Sequence, residues 1–446
     1  MAQVASAALL MQTAPTLRRL FADSLKVGCL GFGGPAGQIA LMHRIWVDER
    51  KWIDEERFQH MLAFCMLLPG PEAQQLATYI GWRLQSWRGA LIAGWLFVLP
   101  GAMVVLALSW LYVSYGKVPL VAAAFDGVKC AVVALVAEAL FKVGKRALKT
   151  NSAVWIAVAA FAALVFGAPF PLVIVAAGAI GALTPSPRGE GTGGGENLIS
   201  SESAPAPTDG ASPHPHPPPL EGRGHALLWL VLWLAPPAVI AFTLGTEHVL
   251  FQIALLFSIL ACVTFGGAYA LLAYLSTEAA ARGWLTTEQM IDGLGLAETT
   301  PGPLILVNEF VGFLAGWNAG SIALAFAGAA VALWCTFAPS FVWIFAGAPY
   351  AERLQKNPRA AGALAAITAA VLGVIAKLAL FFGTHALFAR QIDLGPVELP
   401  DLTSGIWWML VLALAGAVAL IRFKANLLLV LAVCAVAGLA AQGFSL

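Results

Sequence analysis

Two tripeptides, Phe-Gly-Gly and Pro-Gly-Pro, recur in this chain in the same order and at nearly the same interval, and they limit what it can fold into. The first copy is Phe32-Gly33-Gly34 followed by Pro69-Gly70-Pro71. The second is Phe265-Gly266-Gly267 followed by Pro301-Gly302-Pro303. The interval is 37 residues in one copy (32 to 69) and 36 in the other (265 to 301). Each copy carries a tryptophan 17 residues before its Pro-Gly-Pro, Trp52 or Trp284, and a glutamate four residues after that tryptophan, Glu56 or Glu288. Four landmarks in register mark an internal duplication.

The motifs sit in apolar surroundings. The chain is 60% hydrophobic and 11% charged, with a mean hydropathy of +0.81, whereas soluble domains carry about 25% charged residues. Its apolar runs are long enough to cross a bilayer as helices, and the period-two alternation of a β-barrel is missing. The expected fold is therefore an all-α polytopic membrane protein. A net charge of +1 with no basic stripe argues against nucleic-acid binding. The six cysteines, Cys29, Cys65, Cys130, Cys262, Cys335 and Cys434, form no C-x-x-C and read as small buried hydrophobes rather than disulfides or metal ligands. No metal or cofactor is expected. Arg18 and Arg19 follow the weak apolar stretch at the N-terminus instead of preceding it, which is not the order of a cleavable signal. The tryptophans mostly lie near run ends, where an interfacial belt would place them.

Residues 1–184 read as the first repeat, 185–225 as a disordered linker, and 226–446 as a connecting helix plus the second repeat. The linker holds nine prolines and eight glycines in 41 residues, a composition that cannot bury a core. Its His214 and His216 read as polar filler. Apolar runs fall at about 21–42, 58–80, 90–114, 120–141, 152–166 and 170–184, then 226–244, 250–275, 301–317, 320–345, 360–383, 404–421 and 425–443. If 226–244 is an extra connecting span, the second repeat enters the membrane upside down. With a cytoplasmic N-terminus, three basic groups then fall on the cytoplasmic side: Lys142, Lys145, Arg146 and Lys149; Arg353, Lys356 and Arg359; Arg422 and Lys424. The expectation is two inverted-topology repeats and about 13 transmembrane helices, broken at the Gly/Pro motifs.

Broken backbone survives in hydrocarbon only where protein buries it or where it lines a polar cavity. In transporters such breaks aim the amides and positive dipole end of a half-helix at an anion. Phe32, Gly33, Gly34 and Pro35, Pro69, Gly70 and Pro71, Phe265, Gly266 and Gly267, and Pro301, Gly302 and Pro303 have this composition. The competing explanation is that the glycines permit tight helix packing and the prolines only kink helices. Ionisable residues within apolar runs are the second clue. Lys26 precedes the first break, Glu72 follows the first Pro-Gly-Pro, Glu298 precedes the second, and Asp292 and Glu309 flank it. The stretch Ala131–Glu138 matches Ala370–Lys377 without a gap, so Glu138 and Lys377 hold equivalent places and are expected to approach each other or share a cavity. Gln74 and Thr299 could donate to an oxyanion, as could Gln75, Thr264, Tyr269 and Thr300. Each could equally bond a carbonyl of its own helix.

The stretches Gly31-Phe32-Gly33-Gly34-Pro35, Leu67-Leu68-Pro69-Gly70-Pro71-Glu72-Ala73-Gln74, Phe97-Val98-Leu99-Pro100, Thr264-Phe265-Gly266-Gly267-Ala268-Tyr269 and Asp292 through Pro303 resemble the chromate ion transporter family in its long two-domain form. The resemblance covers the chain apart from the 185–225 insert. It implies a multi-pass protein of the inner (cytoplasmic) membrane that expels chromate, confers chromate resistance and is related to sulfate transport. A homodimer is compatible with it. On this reading a tetrahedral dianion sits between the repeats. Lys26 or Lys377 offsets its charge, and Glu72, Glu138, Asp292 and Glu298 serve as coupling or proton-carrying groups.

Three rival readings stay open. One is a sulfate or other oxyanion transporter carrying chromate incidentally. Another is a passive channel. A membrane-embedded enzyme is the third, though the seven histidines are scattered and no His-x-x-Glu-His or Asp-rich box exists.

Overall fold

The computed structural model describes residues 15–116, 118–184, 219–265, 268–355, 357–393 and 398–444. The first copy of the duplication forms α1 (Leu17–Leu30), α2 (Gly34–His43), a π-helical turn (Arg44–Glu49), α3 (Glu55–Cys65), α4 (Glu72–Tyr115), α5 (Pro119–Ala147), α6 (Asn151–Val165) and α7 (Phe170–Leu183). A connecting helix, α8 (Pro219–Leu244), follows. The second copy forms α9 (Val249–Val263), α10 (Ala268–Ala281), α11 (Thr287–Thr299), a 3-10 turn (Leu304–Leu306), α12 (Val307–Asn318), α13 (Ile322–Gly347), the short α14 (Ala351–Gln355), α15 (Pro358–Leu387), α16 (Trp407–Phe423) and α17 (Leu427–Phe444).

The helix order repeats, and local chemistry explains the one mismatch. Gln85 (φ −145°) and Ser86 (φ 52°) are non-helical inside α4, so its two parts correspond to α12 and α13 of the second copy. The repeated tryptophans each stand two residues before a helix cap. Asp54 accepts from the Arg57 amide at 2.8 Å and starts α3. Thr286 and Gln289 cap each other's backbone and start α11. A capping side chain satisfies amides that the first turn leaves without partners.

Among the described residues five helices are long and apolar enough to cross a membrane: α4, α5, α8 from Gly222, α13 continued through its 3-10 turn to Tyr350, and α15. The other apolar helices are shorter. The 15 residues of α6 reach only about 22 Å at 1.5 Å per residue, against a hydrocarbon core of about 30 Å. Each run carrying a Phe-Gly-Gly is served by two short helices meeting at a break, and the 58–80 run by α3 and the start of α4.

Three expectations need correction. Helix α8 starts at Pro219, inside the stretch read as linker, while 185–218 with His214 and His216 lie outside the described residues. The acidic stretch after α15 includes a small antiparallel hairpin, β1 (Gln391–Asp393) and β2 (Glu398–Pro400), so the fold is nearly all-helical rather than wholly so. Cys29 is exposed and Cys262 half-buried, whereas the other four thiols are buried. Some tryptophans also pack inside the protein. Trp95 of α4 and Trp229 of α8 each stack on Trp334 and on Phe341 of α13, at 4.4 Å for Trp229 and Phe341, so the connecting helix and the first copy meet on one aromatic face of the second.

The two copies exchange partners. Helix α5 packs against α16 and α17, and α15 packs against α6 and α7. Small residues permit this. Gly181 of α7 lies against the Gly362 carbonyl of α15, and Gly438 of α17 against the Ala123 carbonyl of α5, leaving no room for a side chain at either glycine. At the start of the chain Arg50 grips Asp23 with two hydrogen bonds of 2.7 and 2.8 Å, tying the π-helical turn to α1. Those bonds to Asp23 and its negative charge hold the Arg50 guanidinium protonated above its ordinary range.

Candidate functional site

The breaks of one repeat are fastened to the Pro-Gly-Pro motifs of the other. The Gly70 amide donates to the Thr264 carbonyl at 2.8 Å, and the Gly302 amide donates to the Gly31 carbonyl at 2.9 Å. Thr264 and Gly31 are the residues immediately before Phe265 and Phe32, so the two bonds are counterparts. Gly70 (φ +106°) and Gly302 (φ +97°) adopt a backbone that a side chain disfavours. Both motifs need their glycine for the turn that aims this amide across.

Polar side chains reinforce the crossings. Gln38 is fully buried and donates to the Gly31 carbonyl at 3.2 Å and the Gly302 carbonyl at 2.5 Å. Gln75 donates to the Pro69 carbonyl at 2.6 Å. Gly101, directly after Pro100 in α4, lies on the Pro301 carbonyl.

These contacts correct the expected donor set. The Gly70 and Gly302 amides are committed between the repeats, and Pro69, Pro71, Pro301 and Pro303 carry no N–H. Gln74 is buried and donates to the Phe337 carbonyl at 3.4 Å. The Thr299 hydroxyl is exposed but bonds the Leu296 carbonyl of its own helix at 2.8 Å. Thr264 and Thr300 bond the carbonyls of Leu260 and Ala297 in the same way. What remains is backbone at uncapped helix starts. Gly33 precedes α2 and Pro71 precedes α4 without a side-chain cap. Phe32 and Gly33 are exposed, Gly34 and Pro35 half-exposed, and no atom lies within 4 Å of a Cβ built at Gly33 or Gly34. The first Pro-Gly-Pro and Glu72 are half-buried. Phe265 is half-buried, and Gly266 and Gly267 lie outside the described residues.

The ionisable candidates gather along the α5–α11 seam. Glu298 is buried and accepts from the Tyr269 hydroxyl of α10 at 3.0 Å, and the charges of Glu138 and Lys142 act on it. The charge of Arg146 acts on Glu72. Two turns back along α11, buried Asp292 accepts from the Tyr112 hydroxyl at 2.8 Å. Lys129 of α5 completes that group and pairs with Asp126 at 2.8 Å. Glu309 in α12 is buried, and its Oε2 has no partner among the described residues.

Two of the expected charges have nearby partners of their own. Glu138 pairs with Lys142, one turn on, at 2.6 Å and not with Lys377. Lys377 is half-buried and forms no ion pair among the described residues. Neighbours four residues apart on one helix face each other and reach more readily than groups on two helices. Lys26 is exposed and pairs with Glu49 at 3.9 Å, so its charge is already compensated. Sequence reading missed Lys129, Asp126, Tyr112 and Lys142. Lys129 and Asp126 lie inside the 120–141 apolar run, where any charge is a signal in itself.

The profile of the chromate transporter family matches residues 18–182 and 251–439, which takes in both crossings and the α5–α11 seam. This chain belongs to the chromate transporter family. A chromate transport protein of Pseudomonas aeruginosa is 33% identical over 406 residues, covering 87% of this chain and 84% of the relative. One of Cupriavidus metallidurans is 27% identical over 370 residues, 82% of each chain. The two matched stretches leave out α8 and the 185–218 segment. No solved structure matches the chain. Members of the chromate transporter family are transporters rather than enzymes, and the long apolar helices place this one in a membrane.

Proposed function

We propose that this protein is a secondary active transporter that exports chromate across the cytoplasmic membrane and thereby confers chromate resistance. The observation that carries the reading is the pair of crossed Pro-Gly-Pro contacts in a member of the chromate transporter family. They set uncapped, broken backbone from both copies around one region, which is how transporters hold an ion between repeats. The copies run in opposite directions, with about 13 passes in all and the N-terminus in the cytoplasm. Each broken run counts as one pass.

The dianion is seated by the first-turn amides of α2 and α4 and by the equivalent start of α10. Protonation of Glu138 frees Lys142, which with Arg146 then supplies positive charge at the seam. Glu298, Asp292, Glu72 and Glu138 carry protons. An ionised carboxylate repels a dianion, so protonation favours loading and deprotonation favours release. Sulfate has the same charge and shape, so an oxyanion exchanger that carries chromate incidentally is the second reading.

Flux of chromate and sulfate in proteoliposomes, with and without an imposed pH gradient, separates these. Chromate flux driven by the gradient is expected. Sulfate flux of equal or greater rate selects the second reading, and no flux of either anion rejects both.

A further inference from the structure

A groove of about 610 Å³ opens where α5, α6 and α15 meet. Leu140 and Gly144 of α5, Val158 and Phe161 of α6, and Leu372 and Ala376 of α15 form its walls, which are apolar apart from Lys145. Its volume falls within the roughly 300–1,000 Å³ of ligand sites. Gly144 gives it depth, since a Cβ built there meets nothing nearer than Leu372 at 3.7 Å.

A cation stands on its wall. The Lys145 ammonium lies 4.4 Å from the centre of the Phe141 ring on the groove wall. Lys145 and Lys149 are exposed and have no ion pair among the described residues. Their neighbours are engaged: Lys142 with Glu138, and the charge of Arg146 with that of Glu72. The Lys145 ammonium on the wall of an apolar trough, with Lys149 next in the chain after the lining residue Leu148, is complementary to a molecule with a hydrocarbon chain and an anionic head. A basic pocket between membrane helices is a recognised seat for such lipids.

We propose that the α5–α6–α15 groove binds an anionic phospholipid, with an acyl chain along Leu140, Phe161 and Leu372 and the phosphate on Lys145 and Lys149. The bound lipid fills the space between the α6 hairpin and the α15 of the other copy. This site is independent of which anion is transported and of how transport is coupled.

Native mass spectrometry of the detergent-purified full chain, mixed with equal amounts of phosphatidylglycerol and phosphatidylcholine, tests it. The phosphatidylglycerol adduct should survive at several-fold higher abundance. The double variant Lys145→Ala/Lys149→Ala should bring the two lipids level, and both changes are on exposed side chains. Gly144→Leu should remove most of both adducts by filling the trough. Lys424→Ala, at the end of α16, should leave the preference intact. As a second readout, added phosphatidylglycerol should raise the melting temperature of the wild type but not of Gly144→Leu. Equal retention of the two lipids by the wild type, or an unchanged preference in the double lysine variant, overturns the assignment.

Discussion

The amide of Gly302 donates to the carbonyl of Gly31 at 2.9 Å, joining the second Pro-Gly-Pro to the first Phe-Gly-Gly through main chain alone. Its counterpart joins Gly70 to Thr264 at 2.8 Å. Any motion that transfers a solute between the sides of the protein has to bend around these joints or break them.

Glycine at the joints should therefore be irreplaceable. Gly302→Ala forces a side chain onto φ +97° and places its Cβ 3.0 Å from Leu306. A loss of about 1–3 kcal/mol is expected from the backbone strain alone. Gly101→Ala should also be damaging, because its Cβ falls on the Pro301 carbonyl. Gly383→Ala, in the interior of α15 with nothing within 4 Å, should be neutral or stabilising by up to about 1 kcal/mol. Melting temperatures of the three variants in one detergent check this. Equal losses in all three would show that the joints have no special role.

Gln38 should act as a rivet. Gln38→Leu keeps the approximate shape but takes the donor from two buried carbonyls, Gly31 and Gly302. The Gly31 carbonyl keeps the Gly302 amide, so the Gly302 carbonyl is the acceptor that loses its donor, at a cost of about 1–3 kcal/mol. Lower stability and slower flux should appear together. Wild-type behaviour in both would mean the carbonyls find other partners.

The Tyr269–Glu298 pair should govern the pH dependence of transport. Glu298→Gln removes the titrating group and should leave anion binding intact while flattening the pH profile of flux. Tyr269→Phe, which removes the 3.0 Å hydrogen bond, should displace the profile without abolishing it. A Glu298→Gln protein with the wild-type profile eliminates Glu298 from the coupling step.

Charge coupling on α5 should be local. In double-mutant cycles on flux, Glu138→Gln with Lys142→Gln should depart from additivity, given their 2.6 Å contact. Glu138→Gln with Lys377→Gln should come closer to additive, within about 0.5 kcal/mol. A larger coupling for the second pair would show that Lys377 meets Glu138 in another state of the transport cycle.

The duplication, the breaks and the apolar runs were legible because each is a local property: Gly and Pro interrupt helices wherever they stand, and hydropathy sums along the chain. What the breaks touch was not legible. That Gly70 faces Thr264 rather than a solute depends on how one copy docks on the other, and nothing near residue 70 encodes that. Gln74 and Thr299 looked available for the same reason, and docking and helix geometry turned their donors toward Phe337 and Leu296. The alignment of Glu138 with Lys377 was sound as sequence, but it did not show that Glu138 takes Lys142 of its own helix as its ion-pair partner. Lys129 is legible in the sequence as a charge inside the 120–141 apolar run.

The exchange of terminal helices bears on how the protein is made. When the ribosome has delivered only the first copy, the glycine-lined face of α5 at Ala123 and Gly127 awaits α17, which follows every other described helix in the chain. Until α17 has been made, that face has no native cover. A truncated product should therefore be recognised as unassembled and degraded, and two separately expressed copies should accumulate only when both are present.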